Sequence, residues 1–177
     1  LEQIFKKNPF PTIIYVNSRK KTEDISNFIN AKGYLSTFYH GGMTTESKTK
    51  AFNSWMKEDR LIMVATNAFG MGIDKPNVKV VIHLDLPASI ENYVQEAGRA
   101  GRDGKKSYAV LLYHQSDKAN LIYQYEQSYP SMEEIRKTYR ALGNYYQLAI
   151  GGSAADSFDF DLVELVNKFK LQTVTTY

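Results

Sequence analysis

The ten residues Gln95-Glu96-Ala97-Gly98-Arg99-Ala100-Gly101-Arg102-Asp103-Gly104 hold the densest chemistry in the chain. Two arginines stand three apart, each directly after a glycine. If Ser89 to Glu96 is helical, both guanidiniums emerge near one helix end, on roughly one face. The glycines remove side-chain bulk, so a large anion can approach the backbone. Arginine offers a planar, permanently charged fork that suits phosphate oxygens. Together these features supply what phosphoryl transfer asks of an arginine finger. A solvated, glycine-rich basic loop is the alternative reading of the same residues.

A second segment, Val64-Ala65-Thr66-Asn67-Ala68-Phe69-Gly70-Met71-Gly72-Ile73-Asp74, follows the apolar run Leu61-Ile62-Met63. It reads as a buried strand emptying into a glycine-rich loop that ends in a carboxylate. Loops at the carboxyl ends of parallel strands are where ligands bind in open α/β sheets. Thr66 to Pro76 and Gln95 to Gly104 together resemble motifs V and VI of superfamily 2 helicases, in the wording of the RecQ family. Upstream, Ile13 to Arg19 resembles motif IV, and Tyr39-His40-Gly41-Gly42-Met43 resembles that family's YHAGL block. The four blocks stand in the family's order across about residues 10 to 118.

The resemblance implies roles position by position. Arg102 would stabilise charge on the transferring γ-phosphate of ATP, with Arg99 assisting, although Arg99 could instead hold a nearby carboxylate. Gln95 would couple two lobes across the ATP cleft. Gly72 and Asp74 would meet the ribose, with Asp74 alternatively capping the turn before Pro76. Thr66 would give its hydroxyl to a nucleic-acid phosphate. Ser18 and Arg19, closing a strand, would lie beside the nucleic-acid backbone, although Arg19 could equally be a solvated charge. His40, Gly41 and Gly42 would offer backbone amides to another phosphate. His83 and His114 are assigned no chemistry and are read as lying in strands.

A P-loop needs Gly, four residues, Gly-Lys and then Ser or Thr. The nearest approach, Gly98 to Lys106, has a spacing of five and lacks the hydroxyl. No acidic DExH-type block is present to hold magnesium. In the family both belong to a first RecA-like lobe. The resemblance therefore implies the second lobe of a two-lobe, ATP-dependent 3′–5′ DNA helicase, in a setting of DNA recombination and repair. ATP and Mg2+ would be shared with the first lobe of the same polypeptide, and the Mg2+ ligands would lie outside this chain. Its DNA partner would be single-stranded or forked and bound without regard to base sequence, with affinity falling as salt rises. An RNA helicase lobe of the same superfamily, or a non-catalytic nucleic-acid-binding module, are the competing readings.

The elements that must position these residues alternate. Thr12–Val16, Leu35–Tyr39, Arg60–Ala65, Lys79–Leu84 and Ser107–Tyr113 read as strands. Lys21–Ala31, Thr44/Thr45 to about Lys57, Ser89–Gly98 and a segment from about Asp117 read as helices. That alternation argues for a parallel sheet with helices on both faces. A RecA-like three-layer α/β sandwich over residues 1–118, followed by a small helical extension over 119–177, is the expected fold.

Within the extension, Ser131 to Glu134 reads as a helix start and Gly151 to Ser157 as a flexible connector. Asp161–Phe169 reads as an amphipathic helix with nothing after it to cover its apolar face. That arrangement suggests the opening of a truncated winged-helix domain, the module that follows the lobes in RecQ proteins. Leu121, Ile122, Tyr125, Ile135, Tyr139 and Leu142 are expected to pin the extension by apolar packing, because the four zinc-binding cysteines usual in the family are missing.

Composition fits this picture. The 177 residues suffice for one ordinary domain and a small appendage. There is no cysteine, hence no disulfide and no cysteine zinc site, and no zinc is expected. No apolar run approaches membrane-spanning length and no signal-peptide pattern opens the chain, so an intracellular, soluble protein of the cytoplasm or nucleoid, without a membrane partner, is expected. Residues 1–118 carry 17 Lys/Arg against 12 Asp/Glu, and residues 119–177 carry 5 against 7. The first segment would supply most of the attraction to nucleic acid. Lys48 stands where the family more often shows Arg, which forfeits bidentate geometry there.

Overall fold

The computed structural model describes residues 1–7, 9–70, 72–148, 159 and 161–176. Two compact units divide the chain, Leu1–Lys118 and Ala119–Tyr177.

The first unit is built on five short parallel strands: β1 (Thr12–Tyr15), β2 (Ser36–Tyr39), β3 (Ile62–Ala65), β4 (Val80–His83) and β5 (Tyr108–Leu111). Their order in the sheet is β2-β3-β1-β4-β5. Side chains alternate between the two faces. Ile13, Tyr15, Met63, Ala65 and Val81 join one core cluster with Trp55; Ile14, Val16, Ile62, Val64, Val80 and Ile82 join the other with Phe5 and Ile29. Helices α1 (Glu2–Lys7) and α2 (Arg19–Ala31) supply the second cluster, and α3 (Thr45–Met56) supplies Trp55 to the first. A sheet buried on both faces explains why β1, β3 and β4 are buried throughout and apolar apart from Thr12 and His83. Each fully buried aliphatic there contributes about 1.5–3 kcal/mol. This is the expected three-layer α/β sandwich.

The register matters for function. Tyr39 pairs with Ala65, Ala65 with Tyr15, Tyr15 with His83, and His83 with Leu111. All five strands therefore end flush, and the loops that follow them share one edge of the sheet.

Several boundaries differ from the sequence reading. Ser18 and Arg19 do not close a strand: the Ser18 hydroxyl accepts the Lys21 N–H at 3.1 Å as the N-cap of α2, and Arg19 is its first residue. Helix α1 is an element the sequence reading lacks. Of the three histidines only His83 lies in a strand; His40 follows β2, and His114 lies between β5 and α5 (Gln115–Ser128). β5, the sheet's edge, is shorter than expected and mostly exposed.

The second unit contains most of α5 together with α6 (Met132–Tyr145), α7 (Leu162–Phe169) and α8 (Thr173–Thr176). Ser131 and Glu134 form a capping box at the start of α6, each satisfying the other's backbone N–H. Asp161 caps α7 by accepting from Val163 and Glu164. The apolar face of α7 is covered, contrary to expectation. Leu165 is fully buried and Val166 nearly so, with Ala141 of α6 also buried, and α8 follows α7 within the same unit. Tyr145 Oη donates to the Glu164 carboxylate at 2.7 Å and ties α6 to α7. The expected anchors Ile122, Tyr125, Ile135 and Tyr139 are instead exposed. The connector from Gly151 to Ser157 lies outside the described residues.

Candidate functional site

The loop leaving β3 is fixed by alternate residues that point inward. Phe69 is buried, crossing Trp55 at 5.5 Å and 80°, and its carbonyl accepts the Tyr15 hydroxyl at 2.9 Å. Ile73 joins the same core. The buried Lys75 donates to the Met56 carbonyl and to Glu58, both at 3.0 Å, with its ammonium over the Trp55 ring. Gly70, Gly72 and Asp74 are left facing outward. Gly72 has φ +78°, a conformation that glycine adopts without strain.

The second loop hangs from α4 (Ile90–Ala97), which Ser89 caps and Gly98 ends. Beyond it the backbone is stitched to the loop before β4. The Gly101 N–H donates to the Val78 carbonyl at 2.9 Å, and the Asp103 N–H to the Pro76 carbonyl at 3.1 Å. Lys79 pairs with Asp103 at 2.6 Å and holds that carboxyl below its ordinary range. Arg102 Nη1 donates to the Ile73 carbonyl at 2.9 Å and to Asp74 Oδ1 at 3.1 Å. Arg99 lies against Gly70, where a Cβ would stand 3.2 Å from its Nη2, and its Nε is buried without a hydrogen-bond partner.

These two loops border one open cleft of about 610 Å3. Gln95, Arg99, Arg102, Gly72 and Asp74 all line it, together with Gly70, Ile73, Val94 and Gly98. Residues separated by more than twenty positions thus share one arginine-lined cleft at the carboxyl edge of the sheet. Met71 lies outside the described residues.

The nucleic-acid candidates gather along the same edge, after β1, β2 and β3. The Arg19 side chain lies over Gly42, where a Cβ would meet its Nη1 at 3.0 Å. A Cβ on Gly41 would touch Ala68 at 3.8 Å, and the Gly41 carbonyl accepts from Lys48 Nζ at 2.9 Å. Thr66 is buried, and its hydroxyl oxygen faces the Ala68 N–H at 3.4 Å. His40 is occupied structurally: its ring stacks on Phe38, its Nε2 meets Glu23 at 3.2 Å, and its amide donates to Met43 Sδ. Gly41 and Gly42 are thus the members of that block facing outward.

Sequence reasoning missed two groups. Tyr15, on β1, sits beneath the arginines, and burial pushes its phenol well above the usual range. His83 and Glu96 form a buried pair, Nε2 to Oε2 at 2.9 Å. The signal for Glu96 was its place inside the arginine segment; nothing local marks Tyr15. Among the described residues, no group of three or more His, Cys, Asp or Glu is placed to hold a metal ion. No described helix is long and apolar enough to cross a membrane.

Comparison with known proteins gives this geometry a family. Residues 1–104 match the helicase conserved C-terminal domain. The chain is 47% identical over 107 residues to the ATP-dependent DNA helicase RecQ of Pasteurella multocida, covering 60% of this chain and 17% of that protein. It is 44% identical over 113 residues to a putative ATP-dependent RNA helicase of Acanthamoeba polyphaga mimivirus, covering 62% and 21%. Among solved structures, the RNA helicase Prp28 from Chaetomium thermophilum bound to ADP superposes with a TM-score of 0.59 at 30% identity, over 71% of this chain and 31% of that one. The chain thus spans about a fifth of the curated relatives' length. With the family's motifs gathered at one edge of the sheet and the domain match running over most of the first unit, the chain belongs to the helicase conserved C-terminal domain family, on its RecQ-like side.

Proposed function

We propose that this chain is the C-terminal motor lobe of an ATP-dependent 3′–5′ DNA helicase of RecQ type, acting in DNA recombination and repair. The observation that carries the reading is the convergence of Gln95, Arg99, Arg102, Gly72 and Asp74 on one cavity. The donor chemistry fits a nucleoside triphosphate. Two guanidiniums line a space floored by glycines, and Arg99 Nε is a buried donor with no partner. Arg102 would stabilise charge developing on the transferring phosphoryl group, and Arg99 would share the phosphates. Gln95 would couple the lobes, while Gly72 and Asp74 would border the ribose. The P-loop and the Mg2+ carboxylate would come from a first RecA-like lobe on the same polypeptide, because neither motif occurs in these 177 residues.

Ser18, Arg19, Gly41, Gly42 and Thr66 would border the backbone of a single DNA strand, with His40 holding the block in place. Phosphate contacts of this kind position a strand without reading its bases. The mimiviral relative, a putative ATP-dependent RNA helicase, supports a second reading, in which the strand is RNA. Strand separation by the two-lobed polypeptide on matched DNA and RNA duplexes, with 3′ and with 5′ overhangs, tests both. Unwinding of DNA from a 3′ overhang is expected. Preference for RNA would move the chain to the second reading, and failure to separate either duplex while hydrolysing ATP would remove the helicase assignment.

A further inference from the structure

Arg102 is carried on a tight turn, closed where the Gly104 N–H donates to the Gly101 carbonyl at 2.9 Å. Arg102 and Asp103 are its two central residues. On either side of the arginine the main chain is tied to the loop before β4, Gly101 to the Val78 carbonyl and Asp103 to the Pro76 carbonyl. Asp103 also uses its carboxylate. Its Oδ1 accepts the Lys105 N–H at 3.1 Å and braces the turn from within. Both of its oxygens accept from Lys79 Nζ, at 2.8 and 2.6 Å, and brace the turn from outside.

Lys79 is a rigid base for that outer bond. Its N–H donates to the Pro11 carbonyl, just before β1, at 3.0 Å, and its carbonyl accepts the Tyr108 N–H of β5 at 2.8 Å. The lysine main chain is therefore held between the two strands that flank β4. Its side chain is 13% exposed and that of Asp103 21%, so the pair is partly shielded from the water that weakens exposed pairs. The Arg102 side chain is held differently, by an Asp74 carboxylate that lies in water. The main chain under the proposed finger is clamped, while the finger itself is lightly latched. A group that must meet a phosphate in one geometry needs that combination of fixed origin and free tip.

We propose that Lys79 is a positioning residue for Arg102: through the Asp103 carboxylate it passes the rigidity of the sheet to the turn and fixes where the guanidinium starts. This inference rests on the reading that Arg102 meets the transferring phosphoryl group. Lys79 does not line the cleft, so its loss reaches the ATP site through the turn. The backbone bonds to Val78 and Pro76 survive that loss, so the turn still forms and only its placement loosens. The effect then falls on the transition state, where a finger acts, more than on nucleotide binding.

A double-mutant cycle tests it in the two-lobed polypeptide. Lys79→Met keeps the apolar stem and removes the ammonium. It should lower kcat for ATP roughly 10- to 100-fold, the scale of a misplaced catalytic group, and leave KM within about threefold. Lys79→Arg, which keeps the charge and the donors, should return kcat to within about threefold of wild type. In an Arg102→Ala background Lys79→Met should add less than about twofold. Full, multiplicative losses from the two changes would overturn the inference. So would a change in KM alone, an unchanged kcat in Lys79→Met alongside a damaged Arg102→Ala, or a Lys79→Arg protein as impaired as Lys79→Met. A harmless Arg102→Ala would sink the parent reading and this inference with it, a pattern distinct from the others. A readout independent of turnover uses the 177-residue chain. Hydrogen exchange at the Asp103 N–H, followed by 15N NMR, should quicken at least about tenfold in Lys79→Met, with the amides of β1 and β4 and the melting temperature held. Unchanged exchange at Asp103 would overturn the proposal. If Lys79→Met does not fold, Asp103→Asn, which keeps an acceptor for the Lys105 N–H and removes the charge, should give the same pattern, and its absence there is equally decisive.

Discussion

Arg102 and Asp74, 28 positions apart, form an ion pair in which the same guanidinium nitrogen also donates to the Ile73 carbonyl. The proposed finger is thereby docked on the proposed ribose loop. Asp74 is 82% exposed, so the pair sits in water and contributes at most about 1 kcal/mol. A phosphate can displace it at little cost.

Arg102→Ala should therefore cut ATP turnover of the two-lobed polypeptide on the order of 10³–10⁵-fold. Its melting temperature should barely change. Steady-state turnover and a thermal melt on the same preparation check both halves. Turnover within a few-fold of wild type would remove Arg102 from the role.

The 177-residue chain by itself should show no ATP turnover above background, with or without DNA. Positioning is most of the catalysis in phosphoryl transfer, and these residues contain no P-loop. A phosphate-release assay on rigorously purified chain decides it; DNA-stimulated release would mean that the site is not shared between lobes.

Acid should loosen the loop that carries Asp74. The Asn77 amide and then Lys75 hold the Glu58 carboxyl below its ordinary value of 4.5. A carboxyl lowered in the folded state contributes stability that is present above pH 4.5 and is lost as pH falls through the lower folded value. Glu58→Gln should then lose less melting temperature than wild type between pH 5 and pH 3. Parallel curves for the two proteins would show that the Glu58 cluster carries none of the acid sensitivity.

Purified chain should contain no stoichiometric zinc, and a chelator should leave its melting temperature unchanged. Structural zinc needs four Cys or His ligands. His40, His83 and His114 are each bonded elsewhere, to Glu23, Glu96 and Ser116. One zinc per chain by elemental analysis would point to ligands outside this set.

Leu165→Ala should cost the second unit about 2–5 kcal/mol, because the side chain is fully buried there. Limited proteolysis should then cut α6 and α7 early while the first unit resists. Exposed Tyr139→Ala should leave the cleavage pattern unchanged; if it behaves like Leu165→Ala, the burial of the second unit is misassigned.

The sheet was legible because strands buried on both faces are mostly apolar, and β1, β3 and β4 are apart from Thr12 and His83. The two site loops were legible for a different reason: glycines beside charges are rare except where a backbone must approach an anion. Ser18 was misread because a capping hydroxyl and a strand-ending one look alike until the helix after it is placed. Helix α1 was missed because six residues give too short a pattern for periodicity. The pairs Arg102–Asp74 and His83–Glu96 join residues on different elements, and only the register of the sheet brings them together. The tyrosines of α5 and α6 were misassigned because aromatic content does not say which side of a helix meets water.

Gly101 has φ +74°, and a Cβ there would run into the Ser107 hydroxyl and stand 3.2 Å from the Lys105 carbonyl. A saturation library screened for growth would score Gly101 as intolerant as its neighbour Arg102. The two intolerances have different origins, one in whether the turn can form and the other in what the turn presents. Cellular abundance separates them: Gly101 variants should disappear from the soluble pool, whereas Arg102 variants should accumulate as full-amount, inactive protein.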